Sequence, residues 1–140
     1  MAGKKRPKVG VGVLVLKDNT ALLTKRKGVH GAGEWAFPGG HLEYWESIEE
    51  CAKRECREEA GIEIKDIKFI RLYNSKKYGK KHYVDIGLIA EWESGEPQLL
   101  EPHRTTGWDW YNLDNLPKPL FEMCKKTFEA LKSGKNFFDS

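Results

Sequence analysis

Three glutamates, Glu55, Glu58 and Glu59, crowd the end of the segment ECAKRECREEAGI at positions 50–62. On a helix turning by about 100° per residue, Ile48, Ala52, Glu55 and Glu59 share one stripe, flanked by Cys51 and Cys56. The opposite face carries Glu46, Glu49, Glu50, Lys53 and Arg57. A carboxylate on an inward stripe is costly unless something compensates it. A hard divalent cation suits several converging carboxylates. Cations of that kind offset oxyanion charge and activate water in phosphoryl chemistry. Glu55 and Glu59, at i and i+4, would grip a metal from one face. Glu58 borders that face, where it would hold another ion or orient the water.

The elements around this helix must position it. Ser47 followed by Glu50 has capping-box spacing, and Gly61 supplies a C-terminal stop, so the helix is expected over 47–60. Glu49 with Lys53 and Glu50 with Arg54 are i,i+4 pairs for its exposed face. Residues 9–16 and 21–25, joined by Asp18-Asn19, read as a hairpin. Gly28, Gly31 and Gly33 make 27–34 a loop, and Trp35-Ala36-Phe37 is a short strand stopped by Pro38-Gly39-Gly40. Residues 67–74 and 82–92 read as strands around a basic loop, 76–81, whose Tyr78 marks a solvated hairpin tip or a stacking ring for RNA. A loop over 93–106 follows, and 120–131 is a closing amphipathic helix. Strands around a central helix, with a second helix near the end, indicate an α+β fold with a mixed sheet. Gly10 and Gly12 lack a Rossmann context and are expected to permit close backbone approach within the first strand.

The chain has 140 residues, 39% of them hydrophobic and 32% charged, which fits one soluble domain. No apolar run is long enough to span a bilayer. The first eight residues, MAGKKRPK, form a basic tail without a signal-peptide apolar region. A cytoplasmic setting is therefore expected, with residues 9–140 as the domain. The formal net charge of +3 implies no strong nucleic-acid affinity by itself. Cys51, Cys56 and Cys124 have neither CxxC nor zinc-ligand spacing, and core packing is their expected role.

Residues 40–62 fit the Nudix box, GX5EX7REUXEEXGU with U aliphatic, at every fixed position. Gly40, Glu46, Arg54-Glu55, Glu58-Glu59, Gly61 and Ile62 fill it, with Cys56 a mild departure at the first aliphatic place. Residues 9–121 resemble the small MutT-related members of that family, most of all the plant cytosolic and human fifteenth-type enzymes. Lys25-Arg26-Lys27-Gly28, the run at 37–43, His82-Tyr83-Val84, the run at 107–110 and the run at 115–121 carry the likeness.

The resemblance implies a Nudix fold, an α/β/α sandwich about a central mixed β-sheet. It implies hydrolysis of a diphosphate bond in a nucleoside diphosphate joined to a group X. The first expectation is a nucleoside triphosphate as substrate, giving a monophosphate and pyrophosphate. Sugar nucleotides, dinucleoside polyphosphates, pterin triphosphates, prenyl diphosphates, RNA 5′ ends and a non-catalytic binding module are the alternatives. Gly40, Glu55, Glu58 and Glu59 would form the metal site for Mg2+, with Mn2+ as a substitute. Gly40 lets its carbonyl approach without Cβ interference. Any of the three glutamates would serve as general base. Arg54 and Glu46 would brace the loop before the helix. Arg26 and His41 match positions near the substrate phosphates. A homodimer is expected on the same ground.

Departures from the relatives bear on substrate choice. Glu122 stands where a Trp encloses the base, and His103-Arg104-Thr105-Thr106 follows Glu101-Pro102, so an extra loop ligand is reduced to Glu101 or lost. Asp85 replaces Ser or Thr near the base. It would accept hydrogen bonds from an exocyclic amine or ring N–H, favouring guanine or cytosine, or else sit on an exposed strand face. Of Trp35, Tyr83, Trp108 and Trp110, one at most is expected to contact the base.

Overall fold

A computed structural model of the chain describes residues 4–28 and 30–139. The first three residues of the expected tail and the last residue of the expected domain lie outside that range. The elements run β1 (Lys8–Lys17), β2 (Thr20–Arg26), β3 (Trp35–Ala36), β4 (Gly39–His41), α1 (Ile48–Ala60), β5 (Glu63–Ser75), β6 (Tyr83–Ser94), β7 (Thr105–Asn112), α2 (Glu122–Ser133) and β8 (Phe137–Asp139). One mixed sheet has the order β3-β2-β1-β6-β5-β8, with β4 also paired to β1 and β7 to β2. β1 runs parallel to β6, and β5 parallel to β8; the other pairings are antiparallel.

The central strands are buried on both faces, which is why β1 reads as a near-continuous apolar run. Alternation divides them. Val11, Val13, Val15, Leu22, Leu88 and Ala90 face a cluster with Cys51, Ala52, Cys56 and Ala60 of α1. Leu14, Ala21, Leu23, Tyr73 and Tyr83 face the opposite cluster, with Met123, Cys124 and Ala130 of α2. The sheet therefore lies between two helices, as the expected α/β/α sandwich requires. All three cysteines are free and buried, in line with packing.

The α1 helix keeps both expected signals. Ser47 and Glu50 form the reciprocal capping box, and Gly61 closes the helix in the left-handed region at φ 70°. Three expectations about its surroundings are corrected. Ile48 is exposed rather than part of the inward stripe, because the buried face begins one turn later at Cys51 and Ala52. Glu50 does not pair with Arg54; its carboxylate accepts from the Ser47 amide at 2.9 Å. Pro38-Gly39-Gly40 does not simply end a strand, since Gly39–His41 is β4 and pairs with Gly10, Val11 and Gly12.

The remaining elements shift more modestly. β5 begins at Glu63 rather than 67, and irregular register around Lys65–Lys68, with Asp66 at φ 53°, hides its alternation in sequence. β7 takes in Thr105 and Thr106, which were expected in a loop. α2 begins at Glu122, after Leu120 bridges Trp35.

Candidate active site

β4 is where the sheet meets the acidic helix. The Gly39 amide donates to Glu59 Oε2 at 2.7 Å. A Cβ on Gly40 would land on the Glu55 carboxylate, so only glycine lets the backbone lie against that group. Glu59 is 7% exposed and the Glu55 side chain 12%. The Glu58 side chain is 53% exposed and pairs with Arg54 Nη1 at 3.1 Å. The structure thus brings Glu55 and Glu59 together beneath β4, while Glu58 stands at the rim. Among the described residues, no three Asp, Glu, His or Cys side chains are already gathered tightly enough to grip an ion.

The inward pair is held against its electrostatic preference. Burial pushes the Glu55 carboxyl up to about 7, with Arg54 pulling the other way. Burial and then the Glu55 charge push Glu59 up to about 8, although the Gly39 hydrogen bond opposes the shift. Glu101, on the loop before β7, raises both, and its Oε1 is buried without a hydrogen-bond partner. Glu101 therefore stays beside the acidic pair despite the altered loop. An orphaned carboxylate oxygen on Glu101, the buried Glu59 carboxylate, the largely enclosed Glu55 carboxylate with only a 3.6 Å contact to Arg54 among the described residues, and a glycine cradle are all hard oxygen donors or room for one. They fit a divalent ion such as Mg2+.

A stability prediction follows for the metal-free protein. Glu55 and Glu59 have folded values above their ordinary 4.5, so the folded state binds more protons than the unfolded chain up to about pH 8, and stability falls as pH rises. His30, pushed down to about 4, and His41, also lowered, act oppositely below 6.5. The clean window is pH 6.5–8. Over it, thermal melts in chelator should show a loss on the order of 1–2 kcal/mol, and Glu59→Gln should flatten most of that slope.

Arg54 and Glu46 form the expected brace. Arg54 Nε and Nη2 donate to the two Glu46 oxygens at 2.6 and 3.0 Å, and Nη2 also reaches the His41 carbonyl at 3.1 Å. The guanidinium holds the Glu46 carboxyl down to about 2. This clamp fixes the loop carrying β4 to the helix carrying the glutamates.

A cleft opens beside Gly39 and Gly40, both of which line it. Gly10 and Gly12 lie along its floor, and Phe37, Phe121 and Met123 give apolar walls. Arg26, His41 and Asp85, each expected near substrate, all line it. Arg26 stacks over Phe121 at 4.2 Å and donates through Nε to the His30 carbonyl at 3.0 Å; burial lowers its pKa. His41 Nε2 lies 3.2 Å from the Tyr83 hydroxyl. Gly10 does permit close approach, for its Cβ would meet Asp85 Oδ1 at 2.6 Å, whereas a Cβ on Gly12 would meet nothing within 4 Å.

Asp85 is not on an exposed strand face. It is 6% exposed, and its Oδ2 accepts from Arg71 Nη2 at 2.8 Å. Arg71, at 1% exposure, also donates to the Asp85 and Met123 carbonyls at 2.8 and 2.6 Å. Burial pushes the Asp85 carboxyl up while Arg71 pulls it back. Arg71 and Arg104, both lining the cleft, received no role in the sequence reading. The available signal for Arg71 was a lone cation within the apolar run FIRLY.

The aromatic expectations sort clearly. Of Trp35, Tyr83, Trp108 and Trp110, only Tyr83 lines the cleft. Trp108 donates to the Glu59 carbonyl at 3.0 Å, and Trp35 packs edge-on to Tyr111. Glu122 pairs with Lys125 and Lys126 outside the cleft. Tyr78 is no solvated tip. Its ring stacks on Phe121 at 4.9 Å, and its hydroxyl donates to Glu34 and accepts from the Glu122 amide, both at 2.8 Å.

Comparison with known proteins places the chain in a family. The family described as NUDIX domain matches residues 6–131. The chain is 33% identical over 131 residues to an ADP-ribose pyrophosphatase of Methanocaldococcus jannaschii, covering 91% of this chain and 76% of the relative. It is 32% identical over 106 residues to an oxidized purine nucleoside triphosphate hydrolase of Mus musculus, covering 75% of this chain and 66% of that protein. A crystal structure of a MutT NUDIX hydrolase from Burkholderia pseudomallei superposes with a TM-score of 0.85 at 33% identity, covering 91% of this chain and 99% of that one.

Proposed function

The chain belongs to the Nudix hydrolase family, and from that premise we propose that it cleaves nucleoside triphosphates to a nucleoside monophosphate and pyrophosphate. The observation that carries the reading is the pairing, across Gly39 and Gly40, of a buried carboxylate pair with an apolar cleft edged by arginines. The base would lie among Phe37, Phe121 and Met123, with the phosphates directed toward Arg26, Arg104 and β4. Arginine forks suit phosphate oxygens. Glu55, Glu58 and Glu59, with the Gly40 carbonyl and Glu101, would hold Mg2+ or its substitute Mn2+. The ion would neutralise developing phosphate charge and lower the pKa of water.

The chain's own groups supply the rest. The Arg54–Glu46 clamp keeps β4 and α1 in register, so that phosphates and carboxylates meet at a fixed separation. Water adds to one phosphorus, and the bridging oxygen leaves with the other. The proton released by the water passes to Glu55, Glu58 or Glu59. A cytoplasmic homodimer belongs to the same proposal, on the resemblance to the plant cytosolic and human fifteenth-type enzymes. No helix among the described residues is long and apolar enough to cross a membrane.

Asp85 gives the cleft a preference. Its Oδ1 faces Gly10 and has no hydrogen-bond partner among the described residues, leaving an acceptor for a base N–H. The test is a Mg2+-dependent panel of nucleoside triphosphates, ADP-ribose and other diphosphates, with separate detection of pyrophosphate and phosphate. Pyrophosphate release from triphosphates is expected to be the fastest reaction; faster ADP-ribose cleavage would overturn the reading. Asp85→Asn keeps an oxygen for Arg71 but changes the acceptor. It should alter relative kcat/KM between guanine or cytosine and the other bases by about ten-fold or more. An unchanged ranking would remove Asp85 from base recognition.

A further inference from the structure

A second concavity adjoins the cleft and plays no part in the chemistry above. Lys5, Arg6 and Lys8 form one wall, and Lys80, Lys81 and His82 the other. None of its five Lys and Arg side chains is ion-paired among the described residues, and no carboxylate lines it.

The walls are tied together rather than loosely apposed. The Lys8 amide donates to the His82 carbonyl at 3.1 Å, and Lys8 lies beside Tyr83 in the parallel β1–β6 ladder. His82 Nε2 is 2.6 Å from Asn74 Oδ1. Tyr83 lines both this groove and the cleft, so the two are neighbours.

Five cations around one concavity, with no carboxylate among them, set a positive local potential that favours an anion. We propose that the groove is an anion subsite for a further phosphate of the substrate, lying beyond the diphosphate that is cleaved. The inference rests on the pyrophosphohydrolase reading and extends it to substrates longer than a free nucleotide. Either a 5′-triphosphorylated oligonucleotide or a dinucleoside polyphosphate presents such a phosphate.

The test uses the full chain and a Lys5→Ala/Arg6→Ala/Lys80→Ala variant. Three substrates are compared: the best nucleoside triphosphate of the panel, its dinucleoside polyphosphate, and a 5′-triphosphorylated trinucleotide. The variant should keep kcat/KM on the nucleoside triphosphate within about two-fold. It should lose about ten-fold on at least one extended substrate, with a shallower salt dependence. The substrate that suffers identifies the source of the phosphate. Equal losses on all three, or none on either extended substrate, would overturn the subsite. If the wild type turns over no substrate, the pyrophosphohydrolase reading fails separately. Anisotropy with the labelled trinucleotide then decides the groove: about ten-fold weaker binding by the variant supports it, and equal affinity overturns it.

Discussion

Glu59→Gln should lower turnover by roughly 10³-fold while leaving the fold intact, within the range expected when a positioned acid–base or metal-binding group is lost. The amide is nearly isosteric and keeps an oxygen for the Gly39 N–H, which donates to Glu59 Oε2 at 2.7 Å. What disappears is the charge. Burial already disfavours that charge, with the carboxyl pushed up to about 8, so the variant should be as stable as the wild type, or more so, at pH 8. Loss of activity without loss of stability separates a functional carboxylate from a structural one. Glu49, on the exposed face and paired only with Lys53 among the described residues, is the control: Glu49→Gln should change turnover by less than about two-fold, since an exposed helix pair contributes a few tenths of a kcal/mol.

Arg71→Met should destabilise the domain by about 3–5 kcal/mol, the cost of removing one partner from a buried pair. Stability totals for such domains are roughly 5–15 kcal/mol, so urea melts should show a large fall in midpoint. The loss leaves the buried Asp85 carboxylate without its cation and removes donors from the Asp85 and Met123 carbonyls. Because Met123 lies in the first turn of α2 and lines the cleft, the same change loosens the cleft wall. Gly87 shows how closely the guanidinium is enclosed: a Cβ there would sit 2.7 Å from Arg71 Cζ. Combining Arg71→Met with Asp85→Ser removes both charges and should recover a substantial part of the loss. A single-variant cost below about 1 kcal/mol would mean that the pair is well solvated, contrary to its burial.

The sequence carried the acidic helix and its neighbours because local chemistry specifies them. Ser47, Glu50 and Gly61 state where α1 begins and ends, and the spacing of Cys51, Ala52, Cys56 and Glu59 states which face is inward. The β1 run was legible because a strand buried on both faces is uniformly apolar. Long-range pairings were less accessible. Nothing local makes Gly39–His41 a strand; it becomes one by pairing with the glycines of β1. The Arg71–Asp85 pair is equally non-local, since its members face each other only once β5 and β6 are in register. Arg54 pairs with Glu46 and Glu58 rather than with Glu50, a choice that local spacing does not state. Tyr78 looked like a loop-tip aromatic until Phe121, just before α2, and the Glu122 amide at its start became its partners.

The central claim is that carboxylates buried beneath β4 bind the ion required for diphosphate cleavage. Mn2+ titration followed by electron paramagnetic resonance tests it without assuming a substrate. Wild-type protein and Glu49→Gln should bind with the same affinity, and Glu59→Gln more than about ten-fold more weakly, the scale of losing a charged ligand. Equal Mn2+ affinity in Glu59→Gln and the wild type would contradict the account.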